Sequence, residues 1–330
     1  MHWERIFLDK GQVRPVWRFF FSVALIVSAY VVVGLTLGFL LGPKVVSPSA
    51  RGLDFLLQLF LVNLLLLPAL LAVFKFLTSA FEKKPLGSMG LAFHAGWSRE
   101  LALGLALGAA MMLGIAVFER ALGLASFQWS TSPSALGAAL VAGSGVLLLM
   151  AAATEELTFR GYPFQRLVDW LGPIPAVLAV SATFGLAHLG NPNHTWASAL
   201  NTMLVGITFA VAYLRTRSLW MPLGMHFIWN FLQGVILGLP LSGLDFPVTL
   251  LRARVGGAVW LTGGAYGPEG GLLASAAIVA ATLYVLFSKR ICLTEDMRRL
   301  TSSELPPASQ PFGLGLDFAK GDGAAEDEPK

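Results

Sequence analysis

Charge is scarce in this chain. Of its 330 residues only 13% are Asp, Glu, Lys or Arg, while 55% are hydrophobic. An ordinary soluble domain carries about 25% charged residues, so the usual soluble class is excluded. No block of lysine and arginine with interleaved aromatics occurs, and the net charge is only +4. Nucleic acid is therefore not expected as a partner. Cysteine occurs once, as Cys292, which excludes an intrachain disulfide and a CxxC metal site. Cys292 reads as a passive juxtamembrane residue, with acylation as the alternative. No HExxH pair is present, so the helix of soluble zinc proteases is not the template. No internal repeat is visible, and inverted repeats are a mark of many transporters. A cleavable signal peptide is not evident either. The first apolar run is too long for one and follows a polar start, so it reads as a span.

What the chain does have is long uncharged sequence. Apolar runs near the ~20 residues that cross a bilayer recur along it. Hydropathy places eight spans, at roughly 17–41, 53–77, 100–124, 134–154, 173–190, 196–214, 219–239 and 271–288. The expected fold class is all-α, a polytopic membrane protein with about eight transmembrane helices around a polar cavity. The fifth to seventh runs contain Gly, Ser, Asn and His, as helices that face other helices do. Residues 240–270, with GLP and LTGGAYGPEGG, read as a long loop, partly re-entrant in one reading. Residues 293–330 read as a Pro/Gly-rich disordered tail. This divides the chain into a two-span region at 1–84, a core at 85–240, an extracytoplasmic loop with the last span at 241–292, and the tail.

Basic residues set the expected orientation. Arg5, Lys10, Arg14 and Arg18 precede the first span, and Lys83, Lys84 and Arg99 follow the second. Arg215 and Arg217 follow the sixth; Lys289, Arg290, Arg298 and Arg299 follow the last. With eight spans these connections share one side. Lys44, Arg51, Arg252 and Arg254 fall on the other. The bias predicts cytoplasmic N- and C-termini in a plasma membrane, of the bacterial inner-membrane type.

Few ionisable groups lie at membrane depth, where they are costly and mark functional candidates. Glu155, Glu156 and Arg160 close the fourth run, His188 lies in the fifth, and His226 and Asn230 lie in the seventh. Glu119 and Arg120 read as an interfacial pair. In EELTFR, Glu156 and Arg160 are i,i+4 with the acid first, the favourable order for an ion pair. Glu155 points about 100° away around the helix and is left to face something else. A plainer reading keeps all three as interfacial charges. A lone histidine such as His188 is more often packed than reactive. His226 and Asn230 share one helix face, where each must find partners because hydrocarbon offers none.

Together these groups make a hydrolytic set. A carboxylate with a histidine can take a proton from water and pass it to a leaving amine. Histidine with asparagine can stabilise an oxyanion. The same Glu155, His188 and His226 could instead hold zinc.

The motifs EExxxR (Glu155 to Arg160), FxxxH (Phe184 to His188) and HxxxN (His226 to Asn230) occur in this order on successive apolar runs. In them the chain resembles the CAAX protease and bacteriocin-processing (CPBP, Abi) family over about residues 85–240. Eukaryotic members are the type II CAAX prenyl endopeptidases. The resemblance implies an eight-helix bundle with a cavity open to the cytoplasm and to lipid. It implies an intramembrane endopeptidase, a glutamate-type hydrolase acting on a membrane-anchored protein or peptide, prenylated or otherwise lipid-anchored. Glu155 resembles the general base, His188 its partner, and His226 with Asn230 the oxyanion hole. Glu156 and Arg160 resemble supporting residues. A metal-free mechanism without cofactor is the preferred expectation. The alternative is a non-enzymatic immunity or scaffold protein of the same fold, and a proton-coupled carrier is a third reading.

Overall fold

Among the described residues, two of the long apolar helices begin at a side-chain N-cap. The computed structural model describes residues 6–9, 11–42, 52–130 and 134–301. The expectations for Arg5, Lys10, Lys44, Arg51 and the tail from 302 lie outside the described residues. Two short strands, β1 (Leu8–Asp9) and β2 (Gln12–Val13), precede helix α1 (Pro15–Leu41). Pro15 opens α1 at a position where a missing N–H costs nothing. Helix α2 (Gly52–Leu77) runs on through a π turn, Thr78–Glu82. Helix α3 spans Trp97–Ala121 and α4 spans Ala135–Arg160. The Ser134 hydroxyl caps α4 by accepting from the Gly137 N–H at 3.0 Å. Then follow α5 (Tyr162–Leu171), α6 (Pro173–Ala187), α7 (Trp196–Thr216) and α8 (Trp220–Asn230). Thr195 and Ser198 cap α7 reciprocally, each side chain accepting from the other's N–H. The last elements are the one-turn α9 (Val259–Thr262), α10 (Leu272–Phe287) and α11 (Glu295–Thr301).

Among the described residues six helices are long and apolar enough to cross a membrane: α1, α2 with its π turn, α3, α4 with α5, α6 with its last turn, and α7. The protein is an integral membrane protein with an all-α polytopic fold. The other two of the eight expected spans form shorter helices. The run at 219–239 is the 11-residue α8 continued by a π turn over Phe231–Ile236. The run at 271–288 is the 16-residue α10. Both pack against long neighbours, α8 on α3 and α10 on α7. The α3–α8 contact is close because Gly104 lies in it: a Cβ there would stand 2.2 Å from the Met221 carbonyl oxygen. Small residues of this kind let helix backbones meet in a membrane, where apolar lipid gives no hydrophobic drive to pack.

Polar contacts tie alternate connections to common ends. At one end Arg18 and Arg166 both reach Glu82, at 2.9 and 2.8 Å. Arg99 donates to the Arg290 carbonyl, and Arg215 to carbonyls closing α10, including Ser288 at 3.0 Å. At the other, β3 (Ala125–Trp129) pairs antiparallel with β4 (Leu251–Val255), Trp129 opposite Leu251. The chain before α1 and the α2–α3, α7–α8 and post-α10 connections thus share an end, as an even number of passes requires.

Two expectations change. Glu119 and Arg120 do not pair: Glu119 is buried with neither carboxylate oxygen hydrogen-bonded, while Arg120 is exposed. Adjacent helical residues point about 100° apart, so one faces the bundle and the other its surface. Next, the tail does not begin at 293. Helix α11 is ordered, with the Asp296 carboxylate accepting from the Ala95 N–H at 3.2 Å. The 240–270 segment, read as a loop and in one reading partly re-entrant, packs inward in part: Leu241 and Phe246 pack with Leu148 of α4 and Val235.

Candidate active site

The site begins at the end of α4. Arg160 is fully buried, and its Nη1 lies 3.2 Å from Glu156 Oε1. Three rings enclose the guanidinium, the nearest being Phe184 at 4.3 Å to its centroid. Its Nη2 donates to the Gly206 carbonyl of α7 at 3.4 Å. The ion pair therefore ties α4 to α6 and α7.

Glu156 has a second task. His226 of α8 donates from Nδ1 to Glu156 Oε1 at 2.8 Å. The ring stacks on Phe209, with centroids 5.3 Å apart. Its Nε2 is thereby aimed at Glu155, whose Oε2 stands 3.8 Å away. Adjacent glutamates thus face the two nitrogens of one imidazole. Glu156 is 1% exposed in its side chain, against 35% for Glu155. The inner acid holds the ring and the outer one stays open to the cavity.

His188 sits where α6 ends. Its Nδ1 lies 2.8 Å from the Phe184 carbonyl, four residues back. A carbonyl only accepts, so Nδ1 carries the hydrogen and neutral His188 keeps a lone pair on Nε2. The ring also packs edge-on against Phe184. The spacing in FxxxH thus supplies the backbone oxygen that sets the tautomer.

Glu155, His188, His226 and Asn230 line one cavity of about 230 Å³, far above the ~10–15 Å³ that one water occupies. Phe55 and Leu59 of α2 line it too. Among the described residues no three His, Cys, Asp or Glu side chains are placed to hold a metal ion. His188 and His226 each commit Nδ1 to a protein oxygen and turn Nε2 toward the cavity side.

Sequence reasoning missed Glu269, Trp229 and Ser242, which line the same cavity. Glu269 lies in the single turn Pro268–Gly270 just before α10. Burial pushes its carboxyl above the ordinary range, with the Ser242 hydroxyl and the nearby His188 acting the other way. A single acid in LTGGAYGPEGG has no periodicity to flag it. Only its seat in the fold shows its use.

The comparisons agree with the motifs. No curated protein and no solved structure matches the chain. The family model for type II CAAX prenyl endopeptidase Rce1-like proteins matches residues 137–232, a stretch that contains Glu155, Glu156, Arg160, His188, His226 and Asn230. Over that stretch the chain is similar to Rce1-like type II CAAX prenyl endopeptidases.

Proposed function

We propose that the protein is an intramembrane endopeptidase that hydrolyses a peptide bond of a membrane-anchored substrate with water activated by Glu155. The observation that carries this reading is the imidazole held between two glutamates. Glu156 orients His226, and Glu155 stands free beside the other nitrogen in a cavity shared with His188 and Asn230. Glu155 takes a proton from water, and the hydroxide oxygen bonds to the peptide carbonyl carbon. His188, with its Nε2 lone pair, accepts the water's second hydrogen bond and steadies it. The oxyanion receives hydrogen bonds from the Asn230 amide and from His226. Since Nδ1–H of His226 is spent on Glu156, donation from Nε2 uses the imidazolium form, with both glutamates beside it as counter-charges. The C–N bond then breaks, and the proton on Glu155 passes to the leaving nitrogen, which restores the carboxylate. No metal takes part in this sequence.

The test is cleavage of a farnesylated peptide ending in a CAAX sequence, in detergent, with and without a chelator, beside the unprenylated peptide. Turnover that survives chelation is expected. Activity lost on chelation and restored by zinc would overturn the metal-free sequence. Failure to cleave either peptide would count against proteolysis of CAAX-type substrates.

The same reading puts the Glu82–Arg166 end of the bundle, with both termini, in the cytoplasm. Arg14, Arg18, Lys83, Lys84, Arg215 and Lys289 flank the spans on that side. A reporter fused after Arg290 should report from the cytoplasm; an external signal would invert the orientation.

A further inference from the structure

Glu269 lies outside the spans, outside the matched stretch at 137–232 and outside the proposed catalytic set. Yet three donors converge on its carboxylate. Oε2 accepts from the Ser242 N–H at 2.8 Å and from the Ser242 hydroxyl at 2.7 Å. Oε1 accepts from the Trp229 indole N–H at 3.2 Å. Its backbone carbonyl accepts from the Asn201 side chain of α7 at 2.8 Å. Among the described residues no lysine or arginine pairs with it. Glu269 is half-buried; an acid withdrawn from water without a basic partner is costly, so its hydrogen bonds help to retain it.

Ser242 is itself strained. Its φ is +50°, and Gly243 follows at +83°. Together with the mutual backbone bonds of Leu241 and Leu244, at 2.8 and 2.9 Å, this makes a tight turn of the mirror-image kind. Such a turn favours Gly or Asn at its first central position; serine there costs energy unless something holds it. Glu269 holds it twice. Leu241, Leu244 and Phe246, from the same segment, face the cavity. Trp229 immediately precedes Asn230 in α8. The carboxylate therefore joins an inward turn to the helix that carries two residues of the proposed machinery.

We propose that Glu269 is a positioning residue for substrate: it pins the Ser242 turn to Trp229 and so fixes the cavity wall against which the peptide lies. The proposal rests on the proteolytic reading above. It needs a carboxylate and not merely a polar residue. Gln offers one oxygen and an NH2 group, so an amide at 269 must turn donors toward either Ser242 or Trp229.

The experiment uses the full-length chain in detergent, with kcat and KM measured on the farnesylated CAAX peptide beside thermal unfolding. Glu269→Gln is expected to raise KM about tenfold or more while kcat falls by no more than about threefold. Adding Trp229→Phe removes the indole donor that would face the new amide. The double variant should recover part of the lost affinity, a non-additive result. Unchanged KM in folded Glu269→Gln, or additive effects of the two changes, would overturn the proposal. If Glu269→Gln fails to fold, Ser242→Ala, which removes one bond of the three, decides the matter: KM raised severalfold supports the clamp, and KM unchanged refutes it. If wild-type protein cleaves no peptide, the proteolytic reading fails separately. Thermal midpoints then test the clamp, which predicts coupling between positions 229 and 269, whereas additive shifts reject it.

Discussion

Glu155→Gln should lower turnover by about 10²- to 10⁴-fold, the usual worth of a general base, and leave the fold in place. Glutamine keeps the shape of the side chain but cannot take a proton from water. The fold should tolerate it because the ionic contact of Glu155 with His226 is long. Its contact with His226 is 3.8 Å long, and its side chain is 35% exposed toward the cavity. Glu156 would continue to hold the ring at 2.8 Å. The measurement is turnover per folded molecule beside the thermal midpoint. Turnover near wild type in a folded Glu155→Gln would remove the glutamate from its role as base. A biological phenotype that persists in this variant would favour a scaffold of the same fold.

Arg160→Ala should act on the fold first, at a cost of about 3–5 kcal/mol, the range for removing one partner of a buried ion pair. Arg160 is fully buried and Glu156 nearly so. The change leaves the Glu156 carboxylate with only His226 to answer it. It also empties a space ringed by Phe159, Phe184 and Phe209, so packing is lost with the charge. Glu156→Gln should resemble Arg160→Ala more than Glu155→Gln. It strands a buried guanidinium and weakens the bond that aims His226. Folded yield and midpoint should fall in both variants, with turnover per folded molecule reduced through the misplaced ring. An Arg160→Ala protein that unfolds at the wild-type midpoint would show that the pair adds nothing to the fold. A folded but inert Glu156→Gln beside an active Glu155→Gln would reverse the roles of the two glutamates.

The division between adjacent glutamates was partly readable in EELTFR. A helix turns 100° per residue, so only Glu156 could share a face with Arg160, four positions on. That periodicity is local and needs no knowledge of neighbours. The second task of Glu156 was not readable. It depends on α8 crossing α4 so that His226 Nδ1 meets the same oxygen, and no spacing between residues 156 and 226 encodes that. His188 shows the same split. The FxxxH spacing provides a carbonyl one turn back, while the cavity that its other nitrogen borders is made by α2, α4, α7, α8 and the 240–246 segment.

By itself the sequence determined that this is a helical protein of the membrane, roughly where its helices run, and which few polar groups must be accounted for. Those conclusions rest on composition and on periodicities of about 3.6 residues, both properties of short stretches. Tertiary structure alone decided that Glu119 turns inward away from Arg120, that two of the eight runs form shorter helices packed on long neighbours, and that the Gly-rich segment before α10 folds in to bring Glu269 to Ser242 and Trp229. Each of these turns on which surfaces meet, and a side chain in an apolar bundle is placed by its neighbours in space because hydrocarbon leaves its polar atoms no other partner.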